Sequence, residues 1–371
     1  MDKNLLEKLF ISPTDTIRTA LVCIDKGGKG IALIVDGEHR LVGTVSDGDI
    51  RRAMLAGIDL ESLVTNLLKR KTDTQYAKPI TASIDTSTEI LLFLMRKYVL
   101  DQIPILDNED RIVDLMGMDD FIPFEDLPLQ AMIMAGGFGS RLRPLTDDLP
   151  KPMLPVGGKP LMETLLGQLR DAGIRQASVT THFQAKKITD YFGDGEDFGV
   201  RLNYVNEKQP LGTGGALGLI PQPSEPILVI NGDVLTQINF RAMLSFHQKN
   251  HADMSVAVRK YDFEVPYGVV ESDGVRVTNL QEKPHMKFFV NAGIYLLEPT
   301  VFQFIPNGER FNMTDLIQWL IDADRSVVSF PIREYWIDIG QHADYVKAQE
   351  DMANGFVNHD QSSDKTSSET I

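Results

Sequence analysis

Ten residues in the second third of the chain combine three glycines with two arginines, the composition of a turn or of a polyphosphate-binding loop. Ala135-Gly136-Gly137-Phe138-Gly139-Ser140-Arg141-Leu142-Arg143-Pro144 directly follows an apolar segment at residues 131–134. Glycines lack the Cβ that would hold backbone amides away from phosphate oxygens, so Ala135, Gly136, Gly137, Gly139 and Ser140 can wrap such a group closely. Arg141 and Arg143 add positive charge that glycine cannot supply. A glycine cluster alone is equally the signature of a turn. A Rossmann loop reads G-x-G-x-x-G and opens straight into a helix, whereas here the glycines stand at 136, 137 and 139 and prolines follow at 144, 150, 152 and 155. A Walker loop needs Ser or Thr after Gly-Lys, and Gly158-Lys159 is followed by Pro160. Lys151 lies between Pro150 and Pro152, on a segment expected to be extended and rigid, where a lysine meets phosphate at little entropic cost. Asp233 and Asp338 each end an apolar run. Paired carboxylates suit Mg²⁺, which keeps several waters and bridges substrate phosphates; a strand-end aspartate also caps turns.

These groups need a scaffold. From Gln130 the chain alternates apolar strands, at residues 131–134, 177–180 and 227–230, with amphipathic helices. Leu161, Leu165 and Leu169 recur at helical spacing before Gly173, a C-terminal stop. Alternating strands and helices imply an α/β fold with a mainly parallel sheet covered on both faces, whose ligands sit beyond the carboxyl ends of the strands.

Further segments appear in a fixed order. Leu149-Pro150-Lys151-Pro152 is followed by Leu211-Gly212-Thr213-Gly214-Gly215-Ala216, Asn231-Gly232-Asp233 and Tyr267-Gly268-Val269-Val270. Gln281-Glu282-Lys283-Pro284, Asn291-Ala292-Gly293 and Tyr335-Trp336-Ile337-Asp338 complete the set. In this order they closely resemble the sugar-1-phosphate nucleotidyltransferases, over residues 130 to 352. The resemblance implies a Rossmann-like, GT-A-like domain with a mixed, mainly parallel sheet. It implies in-line attack of a sugar 1-phosphate on the α-phosphorus of a nucleoside triphosphate, without a covalent protein intermediate.

By the same resemblance Arg141, Lys151, Asp233 and Lys283 are catalytic. Ala135, Gly136, Gly137, Gly139, Ser140, Gly212 and Thr213 hold the nucleotide with them. Gly268, Glu282, Lys283 and Asn291 hold the sugar phosphate, and Asp233 with Asp338 binds Mg²⁺. Outside this set a Glu-Lys pair is usually a solvated turn, and His182 is read as structural. The segment 211–216 is nearer to mannose-1-phosphate guanylyltransferases, which makes GTP the expected donor, and the N-terminal module fused before this domain, described below, resembles that of enzymes supplying surface-glycan precursors. A thymidylyltransferase of the same family is the nearest alternative, and a non-catalytic sugar-nucleotide sensor is the alternative from another class.

The first third contains a repeat. A shift of 71 positions lays residues 32–42 on residues 103–113, each copy an apolar strand, a polar turn and a second apolar strand preceded by a helical pattern. Gly43-Thr44-Val45-Ser46-Asp47-Gly48-Asp49 resembles the end of a CBS motif, in which a hydroxyl and an aspartate three residues later hold a nucleotide. The resemblance implies an α+β tandem CBS pair at 1–122, with repeats at about 12–60 and 80–122, binding adenine nucleotide through Ser46 and Asp49. The second copy departs from the pattern: Gly117 replaces the hydroxyl, although Asp120 keeps the carboxylate. A packing or dimerisation platform is the alternative. A linker at 123–129, a catalytic domain at 130–357 and a disordered tail at 358–371 complete the expected organisation.

A net charge of −15 disfavours nucleic acid as a partner. With Cys23 the only cysteine, neither an internal disulfide nor a cysteine-rich zinc site can form, and its apolar surroundings place it in a core. The chain opens Met1-Asp2-Lys3-Asn4 and has no apolar run of membrane-spanning length, so a soluble, cytoplasmic protein without a membrane partner is expected, and a homo-oligomer is expected separately.

Overall fold

The computed structural model describes residues 3–72, 74, 76–118 and 126–354. The expected contact at Asp120, part of the 123–129 linker and the tail at 358–371 lie outside the described residues.

Two small units of the same construction form the N-terminal part. In the first, Phe10–Ile11 runs parallel to Ile31–Val35, which pairs antiparallel with Leu41–Ser46. In the second, Ala82–Ser83, Gln102–Leu106 and Ile112–Gly117 repeat that pattern. The helices Ile17–Gly27 and Thr88–Tyr98, like the two longer strands, stand at the 71-position offset read from the sequence. The hairpin tips of the two units meet at an antiparallel bridge between Arg40 and Arg111. Cys23 is buried among Ile17, Ile24 and Val45, and burial with the Asp15 charge pushes its thiol up to about 11, so it packs as an apolar residue.

The larger part is built on a seven-stranded sheet. Its spatial order is Arg201–Asn206, Gln176–Thr181, Gln130–Met134, Ile227–Asn231, His285–Leu297, Met254–Glu264 and Val327–Ile332. Only His285–Leu297 runs antiparallel to its neighbours, giving the mixed, mainly parallel α/β sheet. One face packs on the helices Leu161–Ala172, Ala185–Phe192 and Phe240–Lys249, and the other on Met313–Asp322. The stop signal at Gly173 acts as expected: it takes the left-handed conformation, φ 88°, that closes the helix.

The two parts are joined by a fully buried arginine. Arg51, on the helix Asp47–Leu55, lays its guanidinium 3.9 Å from the Phe330 ring centre. It pairs with Asp47 on its own helix and with Glu334 Oε1 at 2.8 Å, and donates to the Pro331 carbonyl. Asp101 of the second unit also reaches across, accepting from Ser245 Oγ at 3.2 Å.

Candidate active site

The glycine loop leaves the carboxyl end of Gln130–Met134, the central strand of the parallel half, as the strand order requires. Thr180 Oγ1 on the neighbouring strand accepts from Ala135 N at 3.0 Å and fixes where the loop begins. A Cβ at Gly137 would meet nothing within 4 Å, so this glycine faces open space. At Gly136 a Cβ would come within 2.4 Å of Glu207 Oε1. Gly136 is therefore glycine because a carboxylate packs against it.

One expectation is corrected here. Lys151 does not lie on an extended segment but begins a 3₁₀ turn, Lys151–Met153. The prolines permit this because Pro152, within the first turn, loses no hydrogen bond that the turn needs. The turn aims the buried Lys151 side chain inward, and its Nζ meets Asp233 Oδ2 at 2.5 Å. Asp233 sits between Ile227–Asn231 and the short strand Val234–Thr236. That short strand pairs antiparallel with Trp336–Asp338, placing Asp338 opposite Val234. Residues more than a hundred positions apart thus become neighbours.

Asp338 remains open to solvent on one side, yet burial and the Asp233 charge push its carboxyl above the ordinary carboxylate range. Lys151 and Arg141 pull it the other way. A Cβ at Gly340 would lie 3.8 Å from Arg141 Nη1 and 4.0 Å from Asp338 Oδ1, so the arginine stands beside the carboxylates. Asp233 Oδ1 is buried without a hydrogen-bond partner. An orphaned carboxylate oxygen beside a second carboxylate is a donor set that a hard divalent cation completes with water and phosphate oxygens. Among the described residues there is no group of three or more His, Cys, Asp or Glu placed to hold a metal ion.

The remaining expected residues divide. Asn291 Oδ1 accepts from Gly293 N at 3.0 Å, and Gly293 packs against Asn231, two residues before Asp233. Gly268 approaches Glu282 at the base of the exposed hairpin Val269–Asp273/Arg276–Gln281. Glu282 and Lys283 are exposed there, and among the described residues no hydrogen bond or ion pair ties them to the Asp233 cluster. Gly212 needs glycine for the backbone it adopts and the chain packed on it. Its φ is 80°, and a Cβ would strike Phe311 O at 2.6 Å. The Thr213 hydroxyl accepts from Met313 N at 3.0 Å. Segment 211–216 is thus moulded to the chain at 309–313.

Two site residues had no expected role. Glu207 is buried, and its Oε2 accepts from Leu211 N at 3.0 Å while Oε1 faces the glycine loop. Its neighbours Asn206 and Lys208 make it read as one polar residue among several. Asn231 Oδ1 is a second buried acceptor without a partner. The motif Asn-Gly-Asp was the available signal. His182 Nδ1 bonds the Glu207 carbonyl at 2.8 Å, beside Gly136 and Phe138 of the loop.

In the N-terminal part, Ser46 caps the helix Asp47–Leu55 and bonds reciprocally with Asp49. Lys71 Nζ lies 2.5 Å and Arg52 Nη2 2.6 Å from the Asp49 carboxylate. Burial alone would raise this carboxyl, but the two cations outweigh it and hold it below the ordinary range.

A glycine-rich loop, two aspartates and a lysine thus gather at one end of a mixed, mainly parallel sheet, and the chain belongs to the nucleotidyl transferase family, which matches residues 130–355. The CBS domain family matches residues 1–56. Relatives include a mannose-1-phosphate guanylyltransferase of Mycobacterium tuberculosis, 33% identical over 62% of this chain and 66% of its own length. A UTP–glucose-1-phosphate uridylyltransferase of Synechocystis is 33% identical over 59% of this chain and 62% of its own. The D-glycero-α-D-manno-heptose 1-phosphate guanylyltransferase of Aneurinibacillus thermoaerophilus is 32% identical over 60% of this chain and 98% of its own. The chain thus spans just under two thirds of the length of the mycobacterial relative. A structure designated a glucose-1-phosphate thymidylyltransferase, from Bacillus anthracis, shares the fold with a TM-score of 0.50 at 24% identity, over 60% of this chain and 94% of that one. No helix among the described residues is long and apolar enough to cross a membrane.

Proposed function

We propose that this protein joins a nucleoside triphosphate, preferentially GTP, to a sugar 1-phosphate, releasing pyrophosphate. The observation that carries the reading is the convergence of Lys151, Asp233, Asp338 and Arg141 at the mouth of the glycine loop. A phosphate oxygen of the sugar 1-phosphate forms a bond to the α-phosphorus. The bond from that phosphorus to the β-phosphate oxygen breaks, and pyrophosphate leaves with the electron pair. The nucleophile is already anionic, so the protein aligns and neutralises rather than abstracting a proton. Mg²⁺ held by Asp233 and Asp338 would supply charge neutralisation across the triphosphate. Open backbone at Gly137, with Ala135, Gly136, Gly139 and Ser140, receives the phosphates. Arg141 and Lys151 balance their charge, and Gly212 and Thr213 line the nucleotide side. Gly268, Glu282, Lys283 and Asn291 receive the sugar phosphate, with Lys283 moving in from the exposed hairpin when substrate arrives.

The preference for GTP draws support from Glu207 as well as from the guanylyltransferases among the relatives. A buried carboxylate beside the loop accepts from donors, and guanine presents adjacent N1–H and N2–H donors where thymine and uracil flank one N–H with carbonyls. The N-terminal part is read as a tandem CBS pair at 1–122. Adenine nucleotide would occupy the cleft of about 240 Å³ lined by Thr44, Leu68, Lys71 and Tyr76, beside Ser46 and Asp49. A cytoplasmic setting and the supply of surface-glycan precursors follow from the same reading.

The test is pyrophosphate release with Mg²⁺, crossing four nucleoside triphosphates with mannose, glucose, glucosamine, N-acetylglucosamine and heptose 1-phosphates. Release with GTP and one sugar, absent in Asp233→Ala, is expected. Preference for thymidine triphosphate moves the protein to the neighbouring branch, and silence over a widened sugar panel overturns the transferase reading.

A further inference from the structure

The glycine loop carries a large aromatic side chain for which phosphate chemistry has no use. Phe138 stands between Gly137 and Gly139 and is 46% exposed. Phosphate oxygens are met by backbone amides and by cations, and a phenyl ring supplies neither. The backbone is pinned on both sides of it. Ala135 N donates to Thr180 Oγ1, and Glu207 packs against Gly136. Beyond Phe138, Gly139 takes the left-handed conformation, φ 63°, and its carbonyl accepts from Thr146 Oγ1 at 2.8 Å.

Two aromatic rings just after the strand Gln176–Thr181 receive the Phe138 ring. Its centre lies 5.4 Å from that of His182, with the rings 89° apart, and 5.7 Å from that of Phe183, with the rings 51° apart. Neither contact is a face-to-face stack, so the ring is held without being covered. His182 links it to the carboxylate beside the loop. A carbonyl only accepts, so the bond between His182 Nδ1 and the Glu207 carbonyl places a proton on Nδ1 and fixes the imidazole. Glu207 Oε2 in turn accepts from Leu211 N at 3.0 Å. Contacts therefore run from Phe138 through His182 and Glu207 to the segment 211–216.

We propose that Phe138 is the stacking surface for the nucleobase of the triphosphate, with His182 and Phe183 holding its ring in position. This rests on the transferase reading and extends it to the base. With the triphosphate on Gly137, Gly139 and Ser140, the nucleoside lies toward Glu207, the buried acceptor on that side of the loop. Phe138 stands on the same side, because the histidine that supports it is bonded to Glu207. Every base has a π-face, so stacking adds affinity without choosing among bases. Phe138 binds the base, and Glu207 selects it. Apolar surface left open on the ring in the free protein is the surface that the base covers, and its removal from water favours binding.

Equilibrium binding of GTP, thymidine triphosphate and inorganic triphosphate to the full chain with Mg²⁺ separates base from phosphate. Phe138→Ser should weaken both nucleotides by roughly tenfold, the weight of one base–aromatic stack. Inorganic triphosphate should bind the variant as it binds the wild type, which also shows that the loop is intact. Phe138→Trp should restore nucleotide affinity. Its emission should be quenched by GTP beyond the response of the wild type, in which Trp319 and Trp336 supply the background. Pyrophosphate release by the wild type, measured alongside, keeps the two readings apart. Release with unchanged nucleotide affinity in Phe138→Ser overturns the stacking role alone. Equal weakening of inorganic triphosphate overturns it too, because the ring then only shapes the phosphate loop. A wild-type chain that neither binds a nucleoside triphosphate nor releases pyrophosphate overturns both.

Discussion

Lys151 Nζ lies 2.5 Å from Asp233 Oδ2, a contact that closes 82 positions of sequence and joins the segment after the glycine loop to the strand end where the carboxylates meet. The lysine is nearly buried, so it acts in a medium where charge is weakly screened. Lys151→Met should lower pyrophosphate release by roughly 10²–10³-fold, the loss seen when one preorganised charge-stabilising donor is removed. Turnover at saturating substrates measures this, and thermal unfolding checks that the fold persists.

Gly137 and Gly212 should separate two uses of glycine. A Cβ at Gly137 meets only open space. Gly137→Ala should therefore leave the midpoint of urea unfolding unchanged while weakening triphosphate binding several-fold. Gly212→Ala places a Cβ against the Phe311 carbonyl at a φ of 80°. It should destabilise by about 2–4 kcal/mol, from left-handed strain and displaced backbone. Urea unfolding with triphosphate titration distinguishes the pair.

Asp338 makes the site pH-sensitive. Its carboxyl titrates above the ordinary range, so the folded protein holds this proton where the unfolded chain has lost it. Compared with Asp338→Asn, the metal-free protein should lose stability as pH rises from the unfolded carboxyl value of about 4 through the raised folded value, since the carboxyls held low at Asp49 and Glu334 act alike in both. Bound Mg²⁺ needs the ionised form, so the gain in melting temperature on adding Mg²⁺ should be larger at pH 8 than at pH 5. Asp338→Asn should remove the Asp338 contribution to the slope together with the gain. Melting curves across pH with and without Mg²⁺ read both quantities.

Arg51 should decide whether the two parts unfold together. Its removal takes one of two cations from Asp47 and Glu334, leaving Arg333, which also pairs with Asp47 across the same junction. Breaking a buried pair in this way typically costs about 3–5 kcal/mol. Arg51→Met should therefore lower stability and split a single calorimetric transition into two. Loss of the arginine with one undivided transition would show that the junction does not couple them.

Exchanging the Glu207 carboxylate for an amide adds a donor where guanine offers donors. Glu207→Gln should lower kcat/KM for GTP at least tenfold and narrow the gap to thymidine triphosphate. Competition between the two triphosphates measures this, and an unchanged ratio would remove Glu207 from base selection.

Local signals in the sequence were enough for much of this protein. The 71-position repeat, the strand before the glycine loop and the helix stop at Gly173 depend on periodicity and on residues with restricted or unusual backbone freedom, so they are legible one segment at a time. The ordered motifs likewise marked Arg141, Lys151, Asp233 and Asp338. Which partners those groups meet depends on long-range pairing, and the tertiary structure decided it. Lys151 turns inward on a 3₁₀ turn, and Asp338 reaches the site because Trp336–Asp338 pairs with Val234–Thr236. Gly212 is fixed by a carbonyl a hundred positions away, and Asp49 by the cations of Arg52 and Lys71. Arg51 carried no signal in the sequence and is a buried bond between the parts, because burial belongs to the surfaces that meet and not to the residue type.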